Sequence, residues 1–482
     1  VLSDRSTPSL STFFQPAYAW TAILALVLIT IAGIAAGAGK ILNYVFPAGS
    51  FAVALYLYFR APLLYVGFSW WITFLSPLIR RLADYRGGFT DPSPILLAPF
   101  LVFLVSGITL WQSLPQIQRQ GGIPFILSLA GVIYGFFVGA LLRAPIKAGQ
   151  AVLNWLTPIL LGLHLFIHWR EYPRYRENIQ QTFVWGVLVM GGYGIVQYLI
   201  APDWDRAWMT NVDLVSIGTP EPLGIRVWST MNSPEPFSAF MAASLLLLFT
   251  TASPLTLPAA IAGYLSFMLT LARAAWLGWF AGFLSLIGLL KPKFQFRLIL
   301  SVVIMALCIV PLTMIEPFSG VVNTRLQSFT DIANDDSAQD RQATYGEIFD
   351  TALVSFLGGG VGGPSYDSTI LSMLLELGWL GSIFFAGGMI LLLFNLFQGP
   401  GEKTDPFVGA ARAIVLTAVI RIPVNASILG VSGLVFWGFL GMGLAARQYY
   451  QAQRTLAMQS EVEFLIQRSQ QKSLDTTDSA NY

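Results

Sequence analysis

The sequence predicts an all-α fold, a polytopic bundle of transmembrane helices, and three observations carry that prediction. Of 482 residues, 55% are hydrophobic and only 11% charged, where an ordinary soluble domain has about 25% charged residues. Mean hydropathy is +0.65. Apolar runs close to the roughly 20 residues that span a bilayer recur along the whole chain. The ten-residue alternating segments of an outer-membrane barrel are absent. A net charge of +2 with no basic run argues against nucleic acid as a partner. Cys308 is the single cysteine, so an internal disulfide and a cysteine-based metal site are both excluded.

The runs are 18–38, 41–59, 61–79, 94–111, 123–142, 150–168, 180–200, 237–252, 256–271, 274–290, 298–315, 368–396, 408–424 and 427–446. The first follows no basic stretch and is long for a signal segment, so it reads as a retained span. The basic segments 168–178, 291–297 and 447–454 mark one common, cytoplasmic side. Segments 201–236 and 316–366 then face outward, and the tail 447–482 lies inside. In the first half, counting every run as a span puts Arg80, Arg81, Arg86, Arg143 and Lys147 outside, against the charge rule. If 61–79 and 150–168 only dip into the membrane, helped by Pro62, Pro77 and Pro158, those residues return inside. The count is therefore 12 to 14 membrane segments. Three regions follow: N-terminal helices over 1–179, a second helical region over 180–446, and the tail.

Loops as long as 201–236 and 316–366 usually carry function. Within the second, 337–356 is expected to form a surface helix with Tyr345, Ile348, Phe349 and Ala352 on one face. The glycines at 358–363 should end it in a tight return. Outward arginines draw attention because the charge rule gives no reason for cations there. Arg273 in "LTLARAAWLGWF" either snorkels to the interface or binds an anion, for which the guanidinium fork is suited. Arg226, Arg325 and Arg341, with Arg421 at the end of its run, can join it around a polyanionic ligand at membrane level.

Other clusters have plainer readings. The acidic stretch 331–340 lacks the spacing of an EF-hand loop and reads as a solvated turn. His164 and His168, the only histidines, share one helix face, but zinc needs a third ligand, and no metal or other cofactor is expected. No histidine is then available as a base on the outward side. Arg412 lies within an apolar run. Glu376, inside a long apolar helix, is expected to be paired or protonated. "GWFAG" (278–282) is a close-packing GxxxG pattern.

The order of "RVWSTMNSPEPFSAFM" (226–241), "LTLARAAWLGWF" (269–280), "RLQSFTDIANDDSAQDRQATYGEIF" (325–349), "GGGVGG" (358–363) and "DSTILSMLLELGWLG" (367–381) resembles the O-antigen ligase and polymerase superfamily of membrane glycosyltransferases. The resemblance covers roughly 180–446. It implies a polyprenyl-diphosphate-linked glycan as donor, a glycan or glycolipid acceptor, and reaction without metal at the periplasmic face of a bacterial inner membrane. It also implies that Arg226 and Arg273 hold the diphosphate; Asn232, Arg325, Arg341 and Arg421 are candidate further substrate contacts. The chain departs from the ligase pattern where Asp367 stands at the position of the ligase histidine, which shifts weight toward polymerase-like members. Asp367 is either the cap of the helix after it or a residue that orients or deprotonates the acceptor hydroxyl. Transport of a small anion and a scaffold role in envelope assembly are the competing functions. Transporters show inverted repeats and broken helices at the midplane, and no such repeat is present.

Overall fold

The computed structural model describes residues 10–212, 217–287, 348–364, 366–398 and 405–478, with isolated helical positions between 295 and 307. Among these residues the only strand-like pairing is a single antiparallel bridge between Gly218 and Ile225. The first half comprises α1 (Leu10–Ala35), α2 (Gly39–Arg60) and α3 (Pro62–Gly87), then a broken span, Pro94–Gln112, containing α4 (Ala98–Leu104) and α5 (Gly107–Gln112). It continues through the short α6 (Leu114–Arg119) to α7 (Ile123–Leu142), α8 (Pro145–Ile167) and α9 (Tyr172–Ile200). After the short α10 (Asp203–Asn211) come α11 (Pro234–Leu248), α12 (Thr256–Met268) and α13 (Arg273–Ile287). The chain closes with α14 (Thr369–Phe397), α15 (Pro406–Arg421) and α16 (Gly430–Asp478). Nine helices among the described residues are long and apolar enough to cross a membrane, and α11, α12 and α13 are shorter apolar helices. Every predicted run except 298–315 falls on one of these elements. That run, with Cys308, lies mostly outside the described residues.

Neither 61–79 nor 150–168 is an irregular segment. Both belong to continuous helices, α3 of 26 residues and α8 of 23. Pro77 and Pro158 sit inside them without breaking them. The hydroxyls just before them bond within the helix, Ser76 to Ile72 O and Thr157 to Leu153 O at 2.8 Å. Two of the arginines that broke the charge rule are paired with carboxylates. Arg80 meets Asp84 at 3.2 Å and Asp91 at 3.1 Å, and Arg81 meets Asp205 at 2.7 Å. The Arg81 contact puts the end of α3 on the same face as 201–233, and Arg143 Nε, donating to Gly359 O at 3.0 Å, puts the α7–α8 turn there too.

The predicted basic segments 168–178 and 447–454 do meet, on the opposite face. Asp405 Oδ2 accepts from Tyr172 (2.6 Å), Tyr450 (2.8 Å) and Arg176 (3.0 Å), while Oδ1 caps α15 through Phe407 N at 3.0 Å. One carboxylate thus joins α9, α15 and α16. The core between the faces is aromatic: Trp70 packs on Phe74, Phe103, Phe183 and Phe240 at centroid distances of 5.1–6.2 Å. Helices approach closely through glycine. A methyl group on Gly441 of α16 would stand 2.3 Å from Gly162 O of α8, which no side chain tolerates. The GxxxG pattern of α13 packs on α15, where Thr417 donates to Gly278 O at 3.0 Å.

Candidate anion site on one face of the bundle

The segment from Arg226 to Ser233 is held from below by a buried polar network. Arg226 N donates to Ile217 O and Val227 N to Leu269 O, both at 3.0 Å. Gln197 of α9 accepts from Trp228 N (3.1 Å) and Ser229 N (2.8 Å) with its Oε1. Its Nε2 donates to Asp205 Oδ2 at 2.8 Å, which also accepts from the Tyr193 hydroxyl at 2.8 Å. Arg81, fully buried, pairs with Asp205 and donates to the carbonyls of Ser229 and Met231. Its guanidinium also lies 6.0 Å from the Trp208 ring centroid. Ser229 has φ of 54°, an unfavourable left-handed conformation for a residue other than glycine. The surrounding hydrogen bonds stabilise that bend, and it carries the chain from Arg226 back toward α11.

The network delivers Arg226 to the α12–α13 turn. Its Nε donates to Thr270 O at 3.3 Å and its Nη2 to Leu271 O at 3.4 Å. Leu271 is itself left-handed, with φ of 53°, and the Thr270 hydroxyl accepts from Ala272 N at 3.2 Å. The next residue, Arg273, begins α13. Two arginines far apart in sequence therefore share one tight turn at a helix N-terminus, where the peptide dipoles favour an anion.

Arg421 lies beside this turn but is already engaged. Its Nη2 donates to Glu235 Oε1 at 2.6 Å, and Ser432 donates to Glu235 Oε2 at 3.3 Å. Arg421 Cδ packs where a methyl on Gly278 would be 3.1 Å away, five residues along α13 from Arg273. The structure thus places Arg421 at the site face as the partner of a carboxylate rather than as an open cation. Asn232, in the turn before α11, has a buried Oδ1 with no hydrogen-bond partner among the described residues. Arg325 and Arg341 lie outside the described residues.

Asp367 does not cap the helix that follows it. The N-cap position belongs to Ser368, which makes no side-chain cap bond. The helix start is anchored instead by Thr369, whose N donates to Ile422 O (3.2 Å) and whose hydroxyl donates to Asn425 O (2.9 Å). Asn425 N in turn donates to Arg421 O at 2.8 Å. Asp367 is exposed, two residues ahead of this anchor. Its reading as a cap fails because the helix starts one residue later than that role requires.

The predicted surface helix is described over 348–354, and its earlier residues fall outside the described set. Ala352 and Ile348 pack with Leu371 and Leu374, whereas Phe349 is 46% exposed. The glycine return runs inward: Gly359 N donates to Leu375 O at 2.7 Å and Val361 N to Gly135 O at 3.0 Å. A side chain at Gly360 would collide with Gly139 of α7, and Gly360 also needs its φ of 73°. Glu376 lies beside this return in a π-helical segment, Met373–Leu377, and its Oε2 accepts from Trp155 Nε1 at 3.0 Å. His164 Nδ1 lies 2.7 Å from Thr109 Oγ1, and no cluster of three metal-ligating groups occurs among the described residues.

Sequence reasoning missed Arg81, Asp205, Gln197 and Glu235. A signal existed for the first, since Arg81 stood against the charge rule. The others are scattered polar residues that only the fold assembles.

Fold and face together define a polytopic helical membrane protein whose helices α11, α13 and α14 begin on one side, around Arg226, Arg273 and the Arg421–Glu235 pair. Comparison with protein-family models, with curated proteins and with solved structures finds no match to the chain.

Proposed function

We propose that this face transfers a glycosyl group from a polyprenyl-diphosphate-linked glycan to an acceptor hydroxyl, without metal, at the periplasmic side of a bacterial inner membrane. The observation that carries the reading is the docking of Arg226 on the turn that begins α13 at Arg273. In the reaction the acceptor oxygen bonds to the anomeric carbon. The bond from that carbon to the diphosphate breaks, and the diphosphate leaves with the electron pair. Two guanidinium groups at a helix N-terminus stabilise the charge that builds on the leaving oxygens, a contribution that is often the largest single one in catalysis. The acceptor proton passes to Asp367, which is exposed and relieved of capping. Asn232 contributes an amide from the turn before α11. A carboxylate is a weaker base than imidazole at neutral pH, so the leaving-group side must supply more of the rate than in a ligase with histidine.

The test is product formation by the purified chain with a lipid-linked diphosphate donor and a hydroxyl acceptor. Wild type should form product, and Arg226→Ala and Arg273→Ala should not, at equal protein level. No product from wild type with any donor, or full product from both variants, overturns the reading.

A further inference from the structure

A cavity of about 520 Å³ opens between α1, α3 and α9, away from the arginine face. On α3 its wall runs from Leu64 to Leu82. At 1.5 Å per residue this is about 27 Å, close to the roughly 30 Å hydrocarbon thickness of a bilayer. The walls are almost wholly apolar, and α9 contributes only Asn178 and Thr182, one turn apart. Thr30, the remaining polar side chain, already donates to Leu26 O at 2.8 Å. Asn178 is different: its Oδ1 is buried and has no hydrogen-bond partner among the described residues. Opposite it, α3 has Gly67, where a methyl would stand 3.1 Å from that oxygen.

Charge lies just beyond. Arg174 is four residues before Asn178, so it sits one turn further out on the same face of α9. Its side chain is 71% exposed and pairs with Glu171, 50% exposed, at 3.1 Å. An exposed pair of this kind is worth little and yields to a better anion. Trp20 of α1, 51% exposed, also lines the cavity near this end, as an interfacial aromatic does. From outside inward the order is guanidinium, amide, then apolar groove, which is the order of phosphate, ester and chain in a phospholipid.

We propose that this groove binds one anionic phospholipid, with its phosphate on Arg174, its ester region at Asn178 and a chain along α3. The Asn178 amide donates to an ester carbonyl through its Nδ2. The site lies on the face opposite the arginine cluster and is independent of the proposed chemistry.

The experiment is native mass spectrometry of the full chain taken from vesicles of equal phosphatidylglycerol and phosphatidylcholine. Wild type should retain one phosphatidylglycerol in preference to phosphatidylcholine. Arg174→Ala should lower that preference about fivefold, the effect of one basic residue near a membrane surface. Leu75→Trp, which fills the middle of the groove, should abolish retention of the lipid. Ile390→Trp, at a position 59% exposed on α14, should leave it unchanged. Thr182→Leu, a milder block, reads the same if Leu75→Trp does not accumulate. Retention indifferent to headgroup, or wild-type retention in the groove-filling variants, overturns the proposal.

Discussion

At the scale of single residues, the arginine pair and Asp367 make opposite demands on a substitution. Arg273→Lys keeps the charge but loses the planar fork that matches phosphate, so product should fall well below wild type at normal expression. Full product in this variant would reduce Arg273 to a point charge. Asp367 is neither buried nor a cap. Asp367→Asn should therefore melt within about 0.5 kcal/mol of wild type, as exposed substitutions do, yet lose product. If the asparagine variant is fully active, Asp367 has no part in the chemistry. Arg81 behaves differently because it is sealed. Arg81→Met strands the Asp205 carboxylate, and breaking a buried pair from one side costs about 3–5 kcal/mol. Arg81→Met with Asp205→Leu should recover part of that loss in a thermal melt. A single variant that melts like wild type would show that the pair holds nothing in place.

At the scale of elements, what was legible from sequence was what periodicity and hydropathy encode. The apolar runs mark the helices, and "GWFAG" marks the α13–α15 contact. The continuity of α3 and α8 was not legible. Proline and misplaced arginine both argued for a break, while the partner that answers Arg81, Asp205, is brought to it only by the tertiary arrangement. The Arg226–Arg273 turn was half legible: both residues stood out, but their meeting depends on Gln197 and on two left-handed residues, Ser229 and Leu271. Neither is glycine, so composition gave no hint of the bends. Asp405 was wholly missed, since one acid beside a basic segment has no pattern. It should nevertheless matter more to stability than Asp367. Asp405→Ala removes a cap, worth about 1 kcal/mol. It also strands the Tyr172 and Tyr450 hydroxyls, at about 1–3 kcal/mol for each one left buried. A melt of Asp405→Ala at or above that of Asp367→Ala would contradict this ordering.

At the scale of the whole molecule, the basic segments 168–178 and 447–454 meet on the face opposite the arginine site, and that placement yields a topological prediction. On the site face Arg80 and Arg81 pair with carboxylates, Arg143 donates to Gly359 O, Arg226 meets the α12–α13 turn and Arg421 pairs with Glu235, while Arg86 and Lys147 are exposed and Arg206 pairs with its exposed neighbour Asp203. On the other, Arg176 pairs with Asp405, Arg174 pairs with its exposed neighbour Glu171, and α16 carries Arg454 on its exposed extension. A topology signal read during insertion comes from basic residues flanking the spans, and it is weighed on the cytoplasmic side. The face of Arg174 and Arg454 should then be cytoplasmic, and the arginine site should open to the periplasm. In a Cys308→Ser background, an impermeant thiol reagent should label Glu221→Cys in intact cells, since Glu221 is exposed on the site face. It should label Gln451→Cys, exposed on α16, only after lysis. The reverse pattern would place the arginines in the cytoplasm, where a translocated lipid-linked donor cannot reach them, and would remove the glycosyl-transfer reading while leaving the fold intact.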